Sequence, residues 1–249
     1  SSELSALWKL ALPLALAQAG QALMGLVDTA VLGRLSPASQ AGVGLGNSLV
    51  FTCSYFGMGV MLAMDPLVSQ AIGAGAVARA RSQFWQGVWL ALLTSGVVMV
   101  PVALLPLMLE PFGVAPVVAQ AAREYMWWRL PGVSGLMLFV TARSYLTGVG
   151  RVGLTFWAMV LANVANALLD VALVFGVGPI PALGATGAAI ATVLCTWLQL
   201  GVLSWGFGPA PPGTQRGFQR SEVLRALRLG TPIGLHFVAE STAFALTGM

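Results

Sequence analysis

Charge is what this sequence has least of. Of its 249 residues, 12 are Lys or Arg and 8 are Asp or Glu, so only 8% are charged. A soluble domain carries about a quarter charged residues, and a chain this poor in charge lacks the side chains for a water-exposed exterior. Because 57% of the residues are hydrophobic, we predict an integral membrane protein that crosses the bilayer several times as α-helices.

Histidine and cysteine are also scarce, which bears on metal and cofactor chemistry. With one histidine, His236, the chain contains no HExxH metal site, and we interpret this residue as interfacial. Cys53 and Cys195 stand alone in apolar runs and form no CxxC pair. The segments SGVV (95–98) and GLVD (25–28) do not supply the GxSG or GxGD motif of an intramembrane protease. An enzyme is therefore disfavoured, and no cofactor is expected.

Long apolar runs make up most of the chain. Six of them are long enough to cross a hydrocarbon core about 30 Å thick as helices, and short Pro- or Gly-rich segments separate them. A seventh begins near residue 221 and is still apolar at Met249, so we expect the sequence to be a fragment of a longer protein. The six predicted spans cover residues 7–32, 42–74, 83–109, 118–148, 153–176 and 183–206.

Positive side chains gather on one side of these spans. The positive-inside rule makes that side cytoplasmic, together with the N-terminus, and accounts for the net charge of +4 without nucleic acid as a partner. On the other side, Tyr125, Trp127 and Trp128 fit an interfacial aromatic belt, and Arg123 and Arg129 are expected to snorkel to the headgroups. The predicted cytoplasmic side carries Lys9, Arg79, Arg81, Arg143, Arg151, Arg216, Arg220, Arg225 and Arg228.

Two polar stripes interrupt the apolar spans. Asn163, Asn166 and Asp170 follow the spacing i, i+3, i+7 in the fifth span and share one helical face. Gln21 and Asp28 likewise share a face of the first span. A charge at this depth costs roughly 2.5–3.5 kcal/mol on insertion scales, so we expect the two stripes to line a common cavity and not to face lipid.

Two interpretations of these stripes remain open. Amide side chains can act as interhelical hydrogen-bonding residues that fix the packing. A carboxyl group in a low dielectric instead needs a cation or a proton, and neighbouring amides can hydrogen-bond it in either state. We therefore predict a switchable ion or proton site, with Asp28 and Asp170 as its leading candidates.

A short internal repeat suggests how the chain continues. The segment LWKLALPL (7–14) opens the first span, and ALRLGTPI (226–233) opens the seventh, with Pro13 aligned to Pro232. The second copy follows the Pro- and Gly-rich segment 207–220, which we interpret as a linker. This arrangement predicts two six-helix repeats.

Four segments carry a family resemblance, in this order: LVDTAVLGRL (26–35), PLVSQAIGAG (66–75), NVANALLDVALVFG (163–176) and LGATGAAIAT (183–192). Together they resemble the multidrug and toxic compound extrusion (MATE) family and, more narrowly, its DinF-like branch. The resemblance implies an all-α transmembrane bundle of two six-helix lobes, twelve helices in all, truncated here in the seventh. Residues 1–206 would form the N-terminal lobe, 207–220 a cytoplasmic interlobe linker, and 221–249 the first helix of the C-terminal lobe.

The resemblance also implies a function. Such proteins export organic, commonly cationic compounds in exchange for H⁺ or Na⁺ by alternating access. The expected partners are small cationic or amphiphilic substrates, the lipid bilayer and the missing C-terminal lobe of the same chain, and the expected location is the bacterial inner membrane. A related flippase for lipid-linked oligosaccharides is the alternative, but it would need a strongly basic cavity, and the first and fifth spans contain no deep Lys or Arg.

The site residues implied by the resemblance lie on the first, fifth and sixth spans. Asp28 matches a first-helix aspartate proposed to bind the coupling ion, and Asn166 with Asp170 matches a fifth-helix pair that completes the site, where Na⁺ would bind if it is the coupling ion. Glu240 resembles a seventh-helix acid of NorM-like members. Asp65 precedes Pro66 and is either a polar residue at a helix break or an accessory ionisable group. The remaining candidates, all polar neighbours of this group, are Gln21, Asn163 and Thr192.

Overall fold

The protein is helical throughout the part of the chain that can be described. In a computed structural model this part comprises residues 36–179 and 181–247 together with Val31 and Gly33, with side chains to residue 241, and it contains no strand. The all-α prediction is therefore confirmed. The helices are α1 (Pro37–Met61), α2 (Met64–Gly73), α3 (Val77–Met108), α4 (Pro116–Gly148), α5 (Val152–Phe175), α6 (Ala185–Ser204) and α7 (Arg220–Thr247).

Most of these helices have the length and apolarity of membrane spans. Among the described residues, four segments meet both criteria: Pro37–Gly73, Val77–Met108, Val152–Phe175 and Ala185–Ser204. Helix α4 is long enough, at 33 residues, but Arg123, Arg129 and Arg143 lower its mean hydropathy. A helix of about 20 residues is enough to cross the hydrocarbon core, so the length of α4 suffices for a span.

The predicted span boundaries agree best where turn residues mark them. Helices α4, α5 and α6 begin and end within about two residues of the predicted spans, because Pro- and Gly-rich segments separate them. Helix α3 begins at Val77, earlier than the predicted start at residue 83. Its first two turns contain Arg79 and Arg81, which a search for apolar runs leaves out.

The predicted second span, 42–74, is interrupted. Helix α1 ends at Met61, two residues in a turn follow, and α2 begins at Met64. Pro66 has no N–H to donate to the carbonyl of Leu62, and that carbonyl instead accepts a hydrogen bond from the backbone N–H of Asp65 at 3.1 Å. A helix break thus lies just before Asp65, in agreement with one of the two interpretations of this residue, and the predicted second span consists of two helices.

Two glycines allow helix backbones to touch. A Cβ on Gly187 of α6 would lie 2.5 Å from the carbonyl oxygen of Leu173 in α5, and a Cβ on Gly42 of α1 would lie 2.6 Å from the Cβ of Ala121 in α4. Both distances are far inside van der Waals contact, so neither position accommodates a larger residue without separating the helices. The close α5–α6 approach sets the register of the polar residues described below.

A methionine-rich core joins α1, α2, α3 and α4. The side chains of Met61, Met64, Met137, Phe139 and Leu146 are fully buried in it. Flexible thioethers fill the irregular space around the break between α1 and α2. This core also reaches α5 at Ala158 and Met159 and α6 at Val202 and Leu203, and further contacts between α5 and α6 form smaller clusters.

The linker and α7 are attached to the preceding helices. Residues 205–219 contain no helix or strand, and Gln86 of α3 bonds this segment twice: its Nε2 donates to the carbonyl of Gly217, and its Oε1 accepts from the N–H of Gln219, both at 2.8 Å. Helix α7 then packs on α1 so closely that a Cβ on Gly59 would lie 2.4 Å from the Cα of Gly234.

Candidate functional site

The polar stripe of α5 lies on the buried side of an otherwise lipid-facing helix. The side chains of Asn166 and Asp170 have no exposed surface. The opposite side of α5 exposes Leu161, Val164 and Leu168. Because a lipid-facing helix has no need of buried polar groups, the placement of Asn166 and Asp170 toward the other helices agrees with the expectation that the stripe faces inward.

The two asparagines of the stripe differ in their hydrogen bonding. The Nδ2 of Asn163 donates to the carbonyl of Met159 in its own helix at 2.9 Å, and the residue is only partly buried. Both polar side-chain atoms of Asn166 are buried without a hydrogen-bond partner among the described residues. Asn166 therefore keeps its full hydrogen-bonding capacity, whereas Asn163 has used part of its own. A buried amide left unpaired in this way costs about 1–3 kcal/mol.

The sixth-span candidate Thr192 lies at the level of this stripe. Val174 of α5 contacts the Ala188 region of α6, and Ala162 of α5 contacts Cys195 of α6. In this antiparallel pair, Thr192 lies between those two contacts, as Asn166 and Asp170 do on α5. The side chain of Thr192 is 7% exposed, and its Oγ1 donates to the carbonyl of Ala188 at 2.9 Å. The loop before α6 therefore does not displace Thr192 from the stripe.

These residues lie toward one end of the bundle. Asp170 is five residues from the end of α5 at Phe175 and 18 residues from its start at Val152, or about 8 Å and 27 Å along the axis at 1.5 Å per residue. The start of α5 follows the predicted cytoplasmic loop. In the predicted orientation, Asp170 is thus in the outer half of the membrane.

Most of the chain is similar to one known protein family. Residues 13–172 of the chain match the family model described as MatE. The chain belongs to the MATE family. The family-level resemblance drawn from the four sequence motifs is confirmed, while its narrower DinF-like placement stays a prediction.

Curated relatives of this MATE chain carry names of multidrug resistance. NorM of Aliivibrio fischeri is 30% identical over 257 residues, covering 99% of this chain and 55% of that protein. MdtK of Klebsiella pneumoniae subsp. pneumoniae is 30% identical over 250 residues, covering 96% of this chain and 54% of that protein. Both are named multidrug resistance proteins and not enzymes. The chain spans about half the length of the curated relatives it matches.

Solved MATE structures share the fold. The eukaryotic MATE transporter AtDTX14 superposes with a TM-score of 0.84 at 19% identity, over 97% of this chain and 54% of that one. A MOP superfamily transporter from Pyrococcus furiosus gives a TM-score of 0.83 at 24% identity, over 96% of this chain and 54% of that one. The helices of this MATE chain therefore correspond to about half of a complete transporter.

Two candidates of the first span fall outside the described residues. Gln21 and Asp28 precede residue 31, the first described residue of the MATE chain. The expectation that they face the α5 stripe stays a prediction. It matters to the site, because Asp28 and Asp170 are predicted to act on one ion.

Neither secondary candidate joins the stripe. Asp65 is exposed in the first turn of α2 and interacts electrostatically with Arg143, which lies near the α4 end that precedes α5. That end is opposite to Asp170. The Glu240 side chain is 51% exposed on α7, where its Oε2 lies 4.0 Å from the Nε2 of His236. Among the described residues of the MATE chain, the predicted site residues at this level are therefore those of the α5 stripe and Thr192 of α6.

Two residues of α4 differ from their predicted position. The sequence pattern placed Tyr125 and Arg129 at the membrane interface, but Tyr125 is 1% exposed and Arg129 is 7% exposed. The Tyr125 hydroxyl donates to the Oδ1 of Asn47 at 3.1 Å, its ring packs with Val174 one turn from Asp170, and the Arg129 guanidinium lies 5.8 Å from that ring. The i, i+4 spacing of Tyr125 and Arg129 places them on one helical face, and it is the sequence feature that could have predicted their contact.

Their neighbours on α4 are exposed. Trp127 and Trp128 are 45% and 53% exposed, and the Arg123 guanidinium lies 5.8 Å from the Trp127 ring. Exposure thus agrees with the interfacial prediction on one face of α4, whereas Tyr125 and Arg129 on the other face are buried against neighbouring helices. A rule based on depth in the membrane does not distinguish the two faces.

Proposed function

We propose that the complete protein is a cation-coupled antiporter that exports small organic, cationic or amphiphilic compounds by alternating access, and that this chain supplies its N-terminal lobe. Membership of the MATE family supports the transporter class. The observation that carries the proposal is the pair of fully buried polar side chains, Asn166 and Asp170, on the inward face of α5. Polar side chains at this depth in a membrane helix are costly, and they are typically retained where they bind an ion or a substrate.

The proposed chemistry follows from the cost of a buried charge. A carboxylate in a low dielectric is stable only with a cation or after taking up a proton. In the proposed site, Asp170 and Asp28 hold H⁺ or Na⁺, and Asn166 stabilises the ion or the protonated acid through its uncommitted amide. Carboxylate, amide and hydroxyl oxygens are the donors that a hard cation prefers, so the donor set of Asp170, Asn166 and Thr192 suits either ion.

Coupling requires that the occupied and empty sites favour different conformations. A ligand shifts a conformational equilibrium only by its difference in affinity for the two states. In our proposal, ion binding at α5 favours the conformation that releases the substrate outward, and ion release favours the conformation that loads it from inside. The gradient of the ion then drives export.

The test is transport by the full-length protein in liposomes. A cationic dye is loaded, and an H⁺ or a Na⁺ gradient is imposed separately to identify the coupling ion. Asp170→Asn and Asp28→Asn should each reduce gradient-driven export at least about tenfold, because each removes one ionisable partner of the ion. Glu124→Gln is the matched control, since Glu124 is an exposed carboxylate near the start of α4, and it should transport normally.

Two outcomes of that experiment count against the proposal. Gradient-driven export by Asp170→Asn at the rate of Glu124→Gln would show that the buried carboxyl does not bind the coupling ion. Equal export with and without either gradient would show that the transporter is not ion-coupled. Protein level and insertion, measured by fluorescence size-exclusion chromatography, separate both outcomes from a folding defect.

One observation keeps the flippase alternative in view. The absence of deep arginines in the first and fifth spans argued against it, but Arg129 of α4 is buried inside the lobe. A single guanidinium stacked on Tyr125 is still far from a strongly basic cavity. Adding a fluorescent lipid diphosphate to the same liposomes distinguishes the two functions, and we expect no protein-dependent flipping.

We also propose the location. Arginine asymmetry favours a cytoplasmic N-terminus, and bacterial relatives such as NorM support the bacterial inner membrane. Cysteine labelling from the outside should modify a residue placed in the loop at 110–115 and should not modify one placed at 208–213.

A further inference from the structure

A groove between α3 and α7 is not part of the α5–α6 site. It has a volume of about 390 Å³, within the range of small-molecule sites. Its walls are apolar side chains, among them Phe56 of α1, Leu90, Leu93 and Val97 of α3, and Val223 and Leu227 of α7. Of the residues that line it, only Thr94 and Arg220 are polar.

The groove lies just below the linker. Phe218 of the linker lines it, and the Phe218 ring meets the ring of Trp89 edge-on at a centroid distance of 6.2 Å. The Nε1 of Trp89 donates to the carbonyl of Arg216 at 3.0 Å, and Gln86 holds the next residues of the linker. The contacts of Trp89 and Gln86 therefore hold the linker residues at the mouth of the groove in position.

Arg220 gives the groove a charged end. It is the first residue of α7, it is exposed, and it has no ion-pair partner among the residues of the described chain. The nearest acid in sequence, Glu222, accepts a hydrogen bond from Gln83 at 2.8 Å. Arg220 begins α7 directly after the predicted cytoplasmic linker, so we place its guanidinium at headgroup level, with the apolar walls running from there toward the hydrocarbon.

The groove is long enough for the upper part of one lipid tail below its headgroup. Arg220 to Leu227 covers seven residues of α7 and Leu90 to Val97 covers seven of α3, which is about 10 Å along each helix. We propose that this groove binds an anionic phospholipid of the cytoplasmic leaflet, with an acyl chain between α3 and α7 and the phosphate on Arg220. The pairing of an apolar groove with an exposed guanidinium at one end favours this occupant over a neutral lipid.

Native mass spectrometry of the full-length protein tests the proposal. Phosphatidylglycerol should bind more tightly than phosphatidylcholine, and Arg220→Gln should weaken phosphatidylglycerol binding about fivefold, the effect expected for one arginine at the membrane surface. Arg228→Gln is the matched control, because it removes an equal charge from the same helix but does not line the groove. It should leave the tightest phosphatidylglycerol site unchanged.

A second variant pair tests the acyl-chain half of the site. Val97→Trp fills the groove and should release the bound lipid, whereas Val100→Trp, on an exposed part of α3 outside the groove, should not. Inorganic phosphate added alone should not compete with the lipid, which separates a lipid site from a phosphate site. Equal lipid binding by all four variants would show that only annular lipid is bound and would overturn the proposal. Full competition by free phosphate would also overturn it.

Discussion

At the scale of single residues, the account depends on the contrast between Asn166 and Asn163. Both lie on one stripe of α5, but Asn163 bonds its own helix through Met159 while Asn166 is fully buried with its amide uncommitted among the described residues. An interhelical amide that only fixed the packing would have a protein partner. Asn166 therefore fits an ion-binding role better than a packing role, whereas the Nδ2 of Asn163 is already bonded within its own helix and only its Oδ1 is unpaired among the described residues.

Substitution of Asn166 by leucine should separate stability from function. Asn166→Leu removes a buried unpaired amide and keeps the volume, so the protein should melt a few degrees higher, because such an amide costs about 1–3 kcal/mol. Gradient-driven export should fall at least about tenfold. Melting is measured by scanning fluorimetry in detergent and export by dye transport in liposomes.

Asn163→Leu is the comparison for that variant. It removes a partly buried amide that is already bonded, so its melting temperature and export rate should stay near those of the wild-type protein. If Asn166→Leu instead melted lower and exported normally, Asn166 would be a packing residue and the site would need another ligand.

At the scale of helices, the register between α5 and α6 positions the site. Gly187 allows α6 to contact the backbone of α5 at Leu173. We expect this contact to hold Thr192 at the level of Asn166 and Asp170. Loss of that close approach would separate them without touching a polar group.

Gly187→Ala tests this register. Its Cβ would lie 2.5 Å from the Leu173 carbonyl oxygen, so the helices must separate, at a cost of about 1–3 kcal/mol. We expect a lower melting temperature and reduced export. Gly201→Ala is the control on the same helix, because an added Cβ there would meet no neighbouring atom of the described residues within 4 Å. It should be neutral or slightly stabilising, and equal melting of the two variants would contradict the account.

The helices were predictable to different degrees, for physical reasons. The ends of α4, α5 and α6 follow Pro and Gly residues that restrict the backbone, so composition locates them. The break after Met61 involves Leu62 and Ala63, which favour helix, and the proline responsible stands three to four residues later. Tyr125 and Arg129 were misplaced because hydropathy gives depth along α4, whereas burial depends on which face meets the other helices.

At the scale of the whole molecule, the chain corresponds to about half of each solved transporter that it matches. Helix α7 packs on α1 at Gly59 and Gly234, and Gln86 of α3 bonds the linker that precedes α7. The linker and α7 are therefore held against the preceding helices. The buried stripe of α5 is the feature on which the function proposed for the complete protein depends.

The most direct measurement is the infrared difference spectrum of the full-length protein on exchange of the coupling ion, compared between wild type, Asp170→Asn and Glu124→Gln. If Asp170 exchanges a cation or a proton, the wild-type spectrum contains a carboxyl band that Asp170→Asn removes and Glu124→Gln retains. A carboxyl band of the same size in all three proteins, or no carboxyl band in any of them, would contradict the central claim.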